Sequence, residues 1–245
     1  MSRLEPVVQF DLRCIQCPVR HHAICSALDG QHLHELSDNV IHRHFSAGDE
    51  ILHQEETSKL FAVIVSGVVK LTRMLPDGRE QIVGLLTATD TLGEIDASVS
   101  HNSAECVTDV ELCCFKRTQF ETVLREHAEL GKYLLHKSRQ DLEKAQQFMT
   151  LLGRLGATEK VASFLLWLWR EGQSHCLHKA ESDGNPTINL LLTRAEIANF
   201  LGMTLETVSR NISKLRSMGL IKLIDTKVIE ITDIEGLREI AQLDE

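Results

Sequence analysis

The apolar positions change their spacing several times along the chain. Residues 1–30 show little periodicity, and a short helix is predicted near Gly30 to Asn39. From Val40 to about Phe115 the apolar residues fall into short β-rich runs: "VIHRHF", "LFAVIVSGVVKLTRML", "REQIVGLL" and "VELCCF". Turn signals separate them at Ala47-Gly48-Asp49, Ser66-Gly67 and Pro76-Asp77-Gly78, which predicts one β domain of barrel or sandwich type. After Phe120 the spacing becomes helical. Leu135, Ser138, Leu142, Ala145, Met149 and Leu152 then recur at alternating steps of three and four, an a/d seam of about three heptads. Such a seam either lies on its own domain or faces a second copy. The flanking Arg139, Asp141, Glu143 and Lys144 favour the second, a two-fold dimer. Gly153 and Gly156 interrupt the helix, "EKVASFLLWLWREG" resumes it, and "QSHCLHKAESDGNPT" reads as a surface loop. A second domain therefore starts near residue 156.

Its most informative stretch is "TRAEIANFLGMTLETVSRNISKLRSMGLIKLIDTKVIEIT". Thr193 with Glu196 three positions on is a capping box, so a helix begins there and runs through Phe200. Gly202 marks a turn, Thr204 caps a second helix and Gly219 ends it, which makes a helix-turn-helix. In the second helix Leu205, Val208, Ile212 and Leu215 form one face, while Glu206, Ser209, Arg210 and Ser213 form the opposite one. From Val208 to Lys222 there are four basic residues and no acidic one, a local field suited to phosphates, with Lys214 as a phosphate contact. Base edges ask for different groups. An arginine fork matches guanine, a glutamate accepts from the cytosine amino group, and serine suits a polar edge or a thymine methyl. Arg210, Glu206 and Ser209 supply these, and "LIKLIDTKVIEIT" reads as a two-stranded wing around Asp225-Thr226-Lys227.

Composition changes this picture in two ways. A net charge of -9 argues against indiscriminate nucleic-acid binding, so the basic helix must act as a local patch. No apolar run reaches the roughly 18 to 20 residues of a membrane span, and no secretory pattern precedes residue 30, so a cytoplasmic location without membrane contact is expected. In that reducing setting cysteines more often bind metal or sense redox state than form structural disulfides. Three of the seven, Cys14, Cys17 and Cys25, crowd into "RCIQCPVRHHAIC" and could be disulfide partners, metal ligands or an accident of composition. Zinc is one option, with Cys-x2-Cys joined by His21, His22 or Cys25. In "VELCCF" neighbours point to opposite faces, so Val110, Leu112 and Cys114 form an inward apolar row and Cys113 faces outward with Glu111. No catalytic constellation is visible, and an enzyme is not expected.

The stretches "SAGDEI", "SGVVKL", "DGREQIVG", "TLGEIDA" and "LGMTLETVSRNISKL", in this order and over nearly the whole chain, resemble the fumarate-and-nitrate-reduction (FNR) branch of the cyclic-AMP receptor protein superfamily. The resemblance implies an α+β fold: a cysteine-rich cluster-binding segment at 1–30, a β-roll sensor domain at 31–125, a dimerisation helix at 126–155 and a winged helix-turn-helix at 156–245. It implies a homodimer joined through Leu135, Leu142, Ala145, Met149 and Leu152, which places two such modules on a two-fold duplex site and acts with RNA polymerase. The E-x-x-S-R pattern of Glu206, Ser209 and Arg210 is similar to that of members that read TTGAT inverted repeats; Thr204, Ser213 and Lys214 complete the expected DNA contacts. The resemblance also implies a 4Fe-4S cluster, labile to oxygen, held by Cys14, Cys17, Cys25 and Cys113. The family's cyclic-nucleotide binders carry Arg-Ser-Ala where this chain has Asn102-Ser103-Ala104, so no cyclic nucleotide is expected.

Overall fold

The computed structural model describes residues 14, 16–37, 40–57, 60–95, 99–174 and 185–241. The chain divides into two units: residues through Met74 with Gly84–Asp141, and Leu75–Val83 with Leu142–Glu245. The predicted loop at 173–187 falls largely outside the described residues, as do Asp38 and Asn39.

In the first unit a 3-10 turn (Ile24–Ala27) and α1 (Gly30–Ser37) precede eight strands. These are β1 (Val40–Phe45), β2 (Glu50–Leu52), β3 (Leu60–Ser66), β4 (Val69–Met74), β5 (Glu80–Leu86), β6 (Thr91–Leu92), β7 (Ser103–Cys106) and β8 (Val110–Lys116). Helices α2 (Arg117–Glu126) and α3 (Ala128–Arg154) follow. The strands form two four-stranded sheets, β1-β8-β3-β6 and β2-β7-β4-β5. Alternation decides what each face meets. Ala62, Ile64, Leu112 and Cys114 point between the sheets, where they pack with Val69, Ala104 and Cys106. Phe61, Val63, Cys113 and Phe115 point the other way, under Val19, Ala23, Ile24, Leu33, Phe120 and Leu130. Gly67, at φ +93, joins β3 to β4 where a Cβ would collide with the Asp109 carbonyl, so the turn requires glycine.

The second unit holds α4 (Ala157–Ser174), β9 (Thr187–Asn189), α5 (Arg194–Leu201), α6 (Leu205–Ser217), β10 (Ile221–Leu223), β11 (Val228–Ile231) and α7 (Ile234–Ala241). The capping box is present: Thr193 Oγ1 accepts from Glu196 N at 3.2 Å and Glu196 Oε2 accepts from Thr193 N at 2.8 Å. Gly202 closes α5 in the left-handed region at φ 62. Val208, Ile212 and Leu215 anchor α6, and Phe200 packs against Phe164 and against Phe148 of the C-terminal half of α3. Three features differ from the sequence reading. The wing has a third strand, because β9 pairs with β11. Helix α7 closes the unit. Leu205 is 44% exposed, because the first residue after the Thr204 cap projects from the helix end instead of onto the core.

Candidate metal centre and nucleic-acid interface

Cys113 sits on β8 between two partners, His42 of β1 and Val63 of β3. All three project from the outer face of the sheet, and the cysteine-rich segment packs on that face, with Cys17 and Cys25 touching the cluster that contains Cys113, Val19, Ala23 and Ile24. The thiols lie within electrostatic reach of one another. Burial, then Cys17 and Cys14, push the Cys25 thiol up to about 12. Cys113 is raised further, by burial first and then by Cys25, Cys14 and Cys17. Without metal Cys25 and Cys113 therefore hold their protons, and a bound cation would release them and supply the missing positive charge. Cys114 faces the other way, into the inter-sheet core, and its thiol is raised by burial.

Among the described residues no three His, Cys, Asp or Glu side chains converge closely enough for a single metal ion. A zinc ion would draw its thiolates to about 2.3 Å from one point. A cubane spreads four thiolates over four corners, and an all-thiol donor set suits iron–sulfur chemistry. His21 and His22 are exposed, Cys106 is buried between the sheets, and Cys176 lies outside the described residues.

Two polar links tie this region to α3. Tyr133 Oη donates to the His22 carbonyl at 3.0 Å, and one turn later Lys137 Nζ binds Asp90 Oδ1 at 2.5 Å, both groups largely buried. The faces of α3 thus differ. Leu130 is fully buried, whereas Leu135 is 74%, Leu142 56% and Met149 64% exposed, with Ala145 exposed and Leu152 half-buried. An apolar row this open on a helix is a surface awaiting a partner.

On α6, Glu206, Arg210, Ser213 and Lys214 are exposed and Ser209 half-buried, opposite Val208, Ile212 and Leu215. The Glu206 carboxyl is held below its usual range by a backbone hydrogen bond and then by Thr204, so it remains an acceptor. Thr204 Oγ1 also accepts from Thr207 N at 3.3 Å. The sequence reading missed a network at the N-terminus of α4. Thr158 Oγ1 donates to Asn211 Oδ1 at 2.8 Å, Asn211 Nδ2 donates to the Thr207 carbonyl at 2.8 Å, and Lys214 Nζ donates to Thr158 Oγ1 at 3.2 Å. Asn211, a buried amide among the apolar positions of α6, was the available signal.

Comparison with known proteins agrees with both units. Residues 42–127 match the cyclic nucleotide-binding domain and residues 159–240 the Crp-like helix-turn-helix domain. The transcriptional activator protein FnrL of Cereibacter sphaeroides is 37% identical over 93% of this chain and 91% of its own length. The nitrogen fixation regulation protein FixK of Bradyrhizobium diazoefficiens is 38% identical over 86% of each chain. The solved structure of FixK2 from Bradyrhizobium japonicum aligns with a TM-score of 0.74 at 26% identity, covering 84% of this chain and 99% of that one.

Proposed function

The chain belongs to the Crp/FNR family of transcription regulators, and on that premise we propose that it is an oxygen-responsive activator that binds a 4Fe-4S cluster and works as a homodimer on TTGAT-type inverted repeats. It is a regulator with a DNA-binding helix-turn-helix and not an enzyme. The observation that carries the cluster is the convergence of Cys14, Cys17, Cys25 and Cys113 on one covered face while Cys114 points away. No helix among the described residues is long and apolar enough to cross a membrane, and a cytoplasmic site of action with RNA polymerase as partner completes the proposal.

Cys14, Cys17, Cys25 and Cys113 would hold the cluster, whose iron–thiolate bonds would fasten the cysteine segment to β8. The protein's own groups carry that order onward. Tyr133 grips the segment's backbone at His22, Lys137 grips Asp90, and between them on α3 lies Leu135 of the open seam. Ordering the segment thereby favours one placement of α3, and a dimer that binds DNA better follows by linkage. The segment that serves phosphate binding in cyclic-nucleotide receptors is engaged internally here. Ser103 Oγ accepts from Gln54 N at 3.0 Å and Ala104 is fully buried, with Asn102 standing where the family's cyclic-nucleotide binders carry arginine.

Protein purified without air should be brown and hold about four iron and four sulfide per chain. Air should bleach it and weaken its binding to a TTGAT inverted repeat. Colourless protein carrying stoichiometric zinc, or DNA binding strengthened by cyclic AMP, would refute the cluster.

The DNA face makes its own prediction. Arg210→Ala should cost about 1 to 3 kcal/mol and relax discrimination at one G·C pair, because a bidentate fork is lost. Lys214→Ala should weaken all sequences alike and lower the salt slope by about one unit, because a single phosphate contact is lost. Titrations of matched and single-mismatch duplexes at several salt concentrations separate the two. Unchanged discrimination after Arg210→Ala would remove that residue from base reading.

A further inference from the structure

His42, directly opposite Cys113, is largely covered, and its ring nitrogens have no hydrogen-bond partner among the described residues. The β1–β8 register pairs the two residues, so their side chains leave the same face of the sheet as neighbours, with Cβ atoms about 5 Å apart as in any directly opposed antiparallel pair. The His42 side chain is only 11% exposed. Neither ring nitrogen makes a hydrogen bond, and both are shut off from solvent. Glu111 Oε1 is 3.6 Å from Nδ1, near enough to attract the ring and too far to bond it. Among the described residues no acceptor reaches hydrogen-bond distance of either ring nitrogen, and such a group asks for one.

The acceptor follows from the other residues around Cys113. Its second cross-strand partner is Val63, which has no donor, and Cys14, Cys17 and Cys25 offer thiols whose chemistry, once deprotonated, is that of acceptors. Resting on the cluster reading above, we infer that His42 is a positioning residue that donates an N–H to the sulfur of Cys113 in the loaded site. One N–H of a neutral ring suffices. Hydrogen bonds to cluster sulfurs draw electron density off the iron and set the reduction potential, and neighbours beyond the ligands govern metal affinity. His42 therefore raises the cluster's potential and slows its loss in air.

The test compares wild type, His42→Leu and His42→Gln, all reconstituted without air. Leucine keeps bulk and removes the donor; glutamine restores an N–H at similar reach. The readouts are iron and sulfide content, reduction potential, and the lifetime of the cluster's absorbance in air. His42→Leu should hold the full cluster, show a lower potential and bleach about 10-fold faster. His42→Gln should recover most of both properties. If His42→Leu fails to hold a cluster, recovery by His42→Gln still assigns the donor. A glutamine variant as poor as the leucine one, or a leucine variant with wild-type potential and lifetime, overturns the inference while the cluster reading stands. A wild type without iron and sulfide ends both.

Discussion

Cys113→Ser should abolish cluster retention and oxygen-dependent DNA binding, whereas Cys114→Ser should keep both. The two residues are covalent neighbours with opposite surroundings. Cys113 lies 8% exposed on the face where Cys14, Cys17 and Cys25 gather, and a serine there offers a hard alcohol where iron–sulfur chemistry needs a soft thiolate. Cys114 is 1% exposed among Ala62, Ile64 and Leu112, with its thiol aimed between the sheets. Serine there buries a hydroxyl in apolar surroundings at about 1 to 3 kcal/mol, which lowers the melting temperature and leaves the cluster alone. Iron and sulfide analysis after anaerobic reconstitution, with duplex binding before and after air, checks both halves. A cluster kept by Cys113→Ser and lost by Cys114→Ser would reverse the assignment.

Leu142→Glu should eliminate the dimer without unfolding the chain. Leu142 is 56% exposed, so a glutamate there meets water in the isolated protomer and no core contact is broken. In a two-fold seam the same position meets its symmetry mate, and two carboxylates would be buried side by side among leucines. Such uncompensated charge costs about 3 kcal/mol or more, so association should weaken by at least roughly 100-fold. Sedimentation of the cluster-loaded protein should show a single folded protomer, and affinity for a two-fold duplex should fall with it. A dimer that survives would mean that the open face of α3 is not the seam.

Much of this was legible in sequence wherever the determinant is local. The Thr193–Glu196 box, the left-handed Gly202 and the Thr204 cap each act within a few residues, and they fix the helix-turn-helix. Two-residue alternation likewise separates Cys113 from Cys114. What escaped is tertiary. Strand β9 has three residues and exists because β11 accepts it. The Tyr133–His22 and Lys137–Asp90 links join residues 111 and 47 positions apart, and no period announces them. His42 looks like a solvated histidine within "VIHRHF" until the register sets it against Cys113.

The order β1-β8-β3-β6 has a consequence for how the protein is made. Strand β8 is the last of the sheet to leave the ribosome, yet it belongs between β1 and β3, the first and third strands of the unit. The platform for the cysteine segment cannot close until this strand arrives, and Cys113 arrives with it. At translation speeds of about 5 to 20 residues per second, Cys14, Cys17 and Cys25 precede Cys113 by on the order of ten seconds. During synthesis these leading thiols thus have no finished sheet to pack on, and on the proposed cluster reading assembly of the centre would follow translation of the sensor unit.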